Sequence, residues 1–153
     1  MQKRLVVYTV FFAIILIVAA YSGNIAAAAG VYTDPLGRFS VGIQAGWILN
    51  RTYPDSSTTQ FSKGTERFEI RTAEMTQTDP IAQARMFFGG NGLAVFETGA
   101  DGLIYAAYSE NSRIFYSVFV FQDSIAFMLL HSAPVGFAAG ETVARQWLAD
   151  FHA

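Results

Sequence analysis

The sequence predicts an α+β fold, an antiparallel sheet flanked by helices as an α/β/α sandwich, preceded by an N-terminal signal or anchor helix. Three observations predict it. After Pro54 the chain runs in short segments of alternating or continuous apolar residues bounded by turn residues, the pattern of strands. Two segments, Pro80 to about Phe88 and Glu141 to His152, instead place apolar residues at helical spacing. Finally, residues 114–121 are apolar or aromatic on both alternating sets, so the sheet they join needs a cover on each face.

The N-terminal segment comes first in the chain. Met1-Gln2-Lys3-Arg4 is basic, Leu5 to Ala20 is an uncharged apolar run, and "NIAAAAG" supplies small residues for cleavage after Ala27-Ala28-Ala29. Residues 1–30 are therefore expected to be a signal peptide, with Ala27, Ala29 and Gly30 marking the cleavage point, and residues 31–153 one folded domain. If the signal is retained, a helix through residues 5–25 spans a hydrocarbon core of about 30 Å and anchors the chain in the membrane. The basic residues precede the apolar run, so the domain is expected outside the cytoplasm in either case: periplasmic, extracellular or held at the cytoplasmic membrane.

The folded part opens on a turn, Asp34-Pro35-Leu36-Gly37, followed by Phe39, Val41 and Ile43 alternating with Ser40 and Gly42 as one apolar strand face. After a second turn, "QAG", a strand runs from Trp47 to about Tyr53. "TTQFSK" (58–63) and "RFEIRTAEM" (67–75) follow as strands, the latter with Phe68 and Ile70 inward and Glu69 and Arg71 outward. Asp79-Pro80 is an N-cap and first-turn proline for a helix through about Phe88, ended by "GGNG" (89–92). Four strands then form a meander, "LAVFET", "LIYAAYS", "RIFYSVFVFQ" and "SIAFMLLHS", joined by connections short enough to force antiparallel pairing. The last helix, Glu141 to His152, carries Val143, Ala144, Trp147, Leu148 and Phe151 on one stripe.

Composition narrows the function. At 153 residues, 52% apolar and 14% charged, the chain has the makeup of one packed domain and not of a disordered segment. It has no cysteine, which excludes disulfides, thiolate metal sites, a cysteine nucleophile and lipid attachment through cysteine. Setting Lys3 and Arg4 aside, eight basic residues face twelve acidic ones, a balance of −4 spread singly along the chain. Nucleic acid is therefore not an expected partner.

The export signal, the stretch "YTDPLGRFSVGIQAGW" (32–47), the meander and the aromatic terminal helix together resemble the PsbP-like family. That family includes extrinsic photosystem II proteins, DcrB-type bacterial envelope proteins and a structurally related Ran-binding import factor. The resemblance is strongest over Tyr32 to Trp47; Gln44-Ala45 stands where relatives carry a proline before Gly-Trp, and Asp150-Phe151 replaces their closing Ser-Phe. It implies an accessory or binding domain without a shared catalytic motif, a cofactor or a metal.

The residues offer little catalytic chemistry of their own. "FFGGNGL" (87–93) runs from helix to strand, the reverse of a phosphate loop, and lacks its Gly-Lys ending. His131 and His152 have no partner at metal-site spacing, and Glu66, Glu69 and Glu74 lie among arginines on a solvated strand. Asn50-Arg51-Thr52 fits a glycosylation sequon. Tyr105, Tyr108 and Tyr116 are the candidate binding residues, because aromatic rings with a polar tip on a strand pair would line a groove. The expected function is an exported accessory or binding protein of the cell envelope without enzymatic activity, its protein partner or small ligand unnamed. The alternatives are a membrane-anchored subunit of an envelope complex and a small hydrolase built on His131, Ser132 and an acidic residue.

Overall fold

The computed structural model describes residues 30–53, 57–89, 94–137 and 140–153. Among these residues ten strands and two helices follow one another: β1 Val31–Thr33, β2 Ser40–Gly42, β3 Ile48–Tyr53, β4 Thr58–Lys63, β5 Glu66–Glu74, α1 Pro80–Met86, β6 Val95–Thr98, β7 Ile104–Glu110, β8 Arg113–Gln122, β9 Ile125–Pro134, α2 Gly140–Ala149 and β10 Phe151–His152. The protein is thus a mostly antiparallel β-sheet protein with two helices. Its main sheet has seven strands in the order β3-β4-β5-β9-β8-β7-β6, and a smaller sheet has the order β1-β2-β10. The expected meander is present as β6 to β9, and β9 returns to pair with β5. Among the described residues no helix is long and apolar enough to cross a membrane; the expected signal or anchor, with Ala27 and Ala29, lies outside them.

Alternation along the central strands divides the core in two. Val118 on β8, Phe127 and Leu129 on β9, and Phe68 and Ile70 on β5 point to one face, where Trp147 and Ala144 of α2 and the small sheet's Phe39, Val41 and Phe151 cover them. Phe119, Met128, Leu130, Ile104 and Ala106 point to the other, beneath Ala84 and Ile81 of α1. The two-faced apolar pattern of residues 114–121 is thereby explained: each face meets its own helix. Trp147 is the centre of the first core, stacked on Phe68 at 4.2 Å and flanked by Phe61 at 4.7 Å and Trp47 at 5.6 Å.

Both helices are shorter than their spacing predicts. Asp79 caps α1 by accepting from the backbone of Ile81 and Ala82, as its sequence signature implies. Beyond Met86, however, the amides of Phe87, Phe88 and Gly89 bond three residues back, a tighter turn, and Gly89 takes φ +57°. Residues 90–92 of the expected "GGNG" stop lie outside the described residues. At the C-terminus α2 stops at Ala149, and Phe151 and His152 form β10 against β2. Phe151 is buried as expected, but from a strand: Gly42 N–H bonds Asp150 C=O at 3.1 Å, and pairing with the open edge of β2 replaces the last helical turn.

The turn at Asp34 does more than reverse the chain. Asp34 is 2% exposed and its carboxylate takes both Nε and Nη2 of Arg38 at 2.7 Å, along with the amides of Leu36 and Arg38. Arg38 Nη1 continues to Thr72 Oγ1 at 2.8 Å and Ser57 Oγ at 3.1 Å. The bidentate pair holds the Asp34 carboxyl below its ordinary range and ties the small sheet to β5.

Candidate functional site: the open half of the α1 face

With only seven residues, α1 packs over Ile104 and Ala106 of β7, Phe119 of β8 and Met128 and Leu130 of β9, and among the described residues no helix covers the other end of these strands on that face. The registers place one row of side chains across the open half: Tyr108 on β7 beside Phe115 on β8, then Ser132 on β9, Arg67 on β5 and Ser62 on β4. Tyr108 and Phe115 stack in parallel, ring centres 4.5 Å apart at 4°, and Phe88 abuts Tyr108 edge-on at 5.6 Å. Both rings are half-buried. Desolvation raises the Tyr108 pKa, with Arg71 opposing and Glu110 and Glu69 adding to the rise. Glu69 bonds Arg71 and Gln60, so these two outward residues of β5 are paired at the surface.

The three candidate tyrosines do not share a groove. Tyr105 and Tyr116 lie 5.9 Å apart on the opposite face, next to α2. Tyr105 is 2% exposed, donates its hydroxyl to Asp101 and carries the Arg145 guanidinium 4.8 Å above its ring. Arg145 also bonds Asp101 at 3.1 Å and Glu141 at 2.9 Å, so the cluster clamps α2 to the β6–β7 turn. Burial, followed by the bond to Asp101, pushes the Tyr105 phenol up to about 12, and burial likewise raises Tyr116. Tyr108 and Tyr116 are each partly exposed, on opposite faces of the sheet, and only Tyr108 lies on the α1 face.

The remaining polar candidates are also tied down. His131 is 1% exposed, its Nε2 3.0 Å from Glu66 Oε2, with Trp47 edge-on at 6.0 Å. Its pKa is lowered, mainly by burial, with Glu66 opposing. Ser132, its chain neighbour, points to the other face and receives Nη2 of Arg113 at 3.1 Å. Strand alternation therefore separates the histidine from the hydroxyl that the hydrolase alternative would join. Among the described residues no three His, Asp or Glu side chains gather as a metal site would.

Cavities among the described residues also border the core. One of about 290 Å³ is bounded by Arg38, Ser57, Thr72, Glu74 and Ser124, and one of about 260 Å³ lies under the start of α1, between Ile81, Leu103, Phe119 and Phe121. In the first, the guanidinium is already held by Asp34 and Glu74 adds a second negative charge, which disfavours an anion.

Neither a protein-family profile nor a curated protein sequence matches the chain. Solved structures do. The structure of cyanobacterial PsbP (CyanoP) from Synechocystis sp. PCC 6803 aligns over 86% of this chain and 96% of its own, with a TM-score of 0.53 at 13% identity. A crystal structure from Bacteroides thetaiotaomicron aligns over 82% of this chain with a TM-score of 0.57 at 17% identity; the chain spans about half of that protein, 49% of its length. The protein therefore has a PsbP-like fold, as the stretch from Tyr32 to Trp47 foreshadows.

Sequence reasoning singles out Tyr108 but misses its companions. Phe115 reads as one aromatic in an apolar strand, and Arg67 as one charge on a solvated one. The pairing of β9 with β5 brings them together, and no local signal announces it.

Proposed function

We propose that the protein is an exported accessory domain of the cell envelope, an α/β/α sandwich that works by binding a partner rather than by catalysis. The observation that carries this reading is the half-open aromatic face at Tyr108 and Phe115, in a fold whose other polar clusters are closed on themselves. Solvent-reaching aromatic rings bordered by arginines are the residue types enriched in protein interfaces. The pairing of His131 with Glu66 and its separation from Ser132 by strand alternation count against the hydrolase alternative in particular. The basic-then-apolar leader supports export, and retention of residues 5–25 would make the same domain an anchored subunit.

Intact mass and fractionation of the natively produced protein test the export half of the reading. A chain starting at Gly30 in the soluble exported fraction is the expected result. A chain starting at Met1 and extracted from the membrane would make it the anchored form. A chain starting at Met1 in the cytosol would overturn export altogether.

A further inference from the structure

Two arginines with spare donors border this face, Arg67 in the row itself and Arg113 two residues before Phe115 on β8. Arg67 is exposed and makes no hydrogen bond or ion pair among the described residues. Beside it, Arg113 reaches across β9 and spends Nη2 alone, on Thr65 O at 3.0 Å and on Ser132 O and Oγ at 3.0 and 3.1 Å. Its Nε and Nη1 have no partner among the described residues. With Arg71 set against Glu69 and Glu110, this part of the face holds three positive and two negative side chains, on a domain whose balance is −4. The local charge is thus opposite in sign to that of the molecule, and every cation in it is a guanidinium.

We propose that this face docks an extended, carboxylate-bearing segment of a protein partner. An acidic side chain of the segment sits in the fork of Arg67, a second accepts a single bond from Arg113, whose Nη2 is already spent, and an apolar neighbour packs on Phe115 and Tyr108. The inference rests on the binding reading above and names its partner's chemistry. A planar guanidinium matches a carboxylate in two parallel bonds, and stacked rings beside it give an apolar side chain a flat seat. Glu69 and Glu110 on the same face disfavour a more highly charged phosphate surface, which would meet both.

The test titrates the isotopically labelled protein, as isolated from its producing cells, with a synthetic peptide of alternating Glu and Leu at low salt. The same peptide with Gln for Glu, and vesicles of phosphatidylcholine with phosphatidylglycerol, are the comparison arms. The expected result is amide shifts centred on Arg67, Tyr108, Arg113, Phe115 and Ser132, with the Gln peptide bound about tenfold more weakly or less. Arg67→Glu should abolish the shifts; it is the cleaner variant, because Arg67 is exposed and unpaired whereas Arg113 also braces Thr65 and Ser132. Equal binding of the two peptides, shifts elsewhere, or a stronger response to the vesicles would overturn the proposal. A photoreactive residue in place of Phe115, used in the producing cells, separates the two levels. Protein adducts that persist undiminished in Arg67→Glu overturn the carboxylate segment alone, and the absence of any adduct overturns the binding reading with it.

Discussion

Strands β7 and β8 present two different surfaces, one around Tyr105 and Tyr116 and one around Tyr108 and Phe115. On the first, α2 and the small sheet close over the strands, Trp147 fills the space between them, and Arg145 is paired with both Asp101 and Glu141. On the second, a helix of seven residues covers only part of the apolar area, and the rest ends on half-buried rings and a guanidinium without a partner among the described residues. The same strands, with the same residue types, thus serve stability on one side and, on the proposed reading, binding on the other. Coverage decides which: an aromatic ring under a helix is core, and the same ring beyond the helix end is available surface.

The sharpest way to break this contrast is to remove the centre of the closed face. Trp147→Ala should cost about 3–5 kcal/mol in urea unfolding, since it empties a fully buried aromatic site between Phe61 and Phe68. A loss under about 1 kcal/mol would mean that α2 is not packed through that face. Next in size is the staple that joins the small sheet to β5. Asp34→Ala leaves the Arg38 guanidinium with no carboxylate in a largely enclosed place and should cost about 3 kcal/mol by the same assay. An effect of only a few tenths would make the pair a surface contact.

Acidification probes the closed face without a mutation. The native pKa of His131 lies below its ordinary 6.5, so below that pH the unfolded chain takes up a proton that the native imidazole refuses. This group's contribution therefore makes stability fall as pH drops from 6.5 towards the native pKa, by up to about 1.4 kcal/mol per pH unit. His131→Gln should flatten that part of the profile; an unchanged slope would assign it to other groups. The smallest effect is expected at Ser117, on the α1 side, whose hydroxyl is fully buried and has no hydrogen-bond partner among the described residues. Ser117→Ala should be neutral or stabilising by up to about 1 kcal/mol, because it removes a polar atom that folding desolvates without return.

The contrast between the faces is only partly legible in the sequence. Both helices announce themselves, α1 through Asp79-Pro80 and α2 through the spacing of Val143, Ala144, Trp147 and Leu148. Phe151 misleads, because it falls four residues after Trp147 and satisfies helical spacing even though it belongs to β10. What recruits it is the edge of β2, more than a hundred residues earlier in the chain. Part of the tyrosine arrangement is readable: Tyr105 and Tyr108 are an odd number apart on one strand, so they cannot share a face. The arginine row is not readable, since Arg67 and Arg113 become neighbours only through β9, which pairs with both their strands. The partner of His131, Glu66, is hidden for the same reason.

The most direct test of the division between the faces is the urea unfolding of Phe115→Ala measured beside Trp147→Ala. If the open half of the α1 face is spare surface, losing the Phe115 ring and its stack on Tyr108 costs about 1–2 kcal/mol, less than half the loss at Trp147. Equal losses at the two positions would make Phe115 part of the core and would contradict a face kept open for a partner.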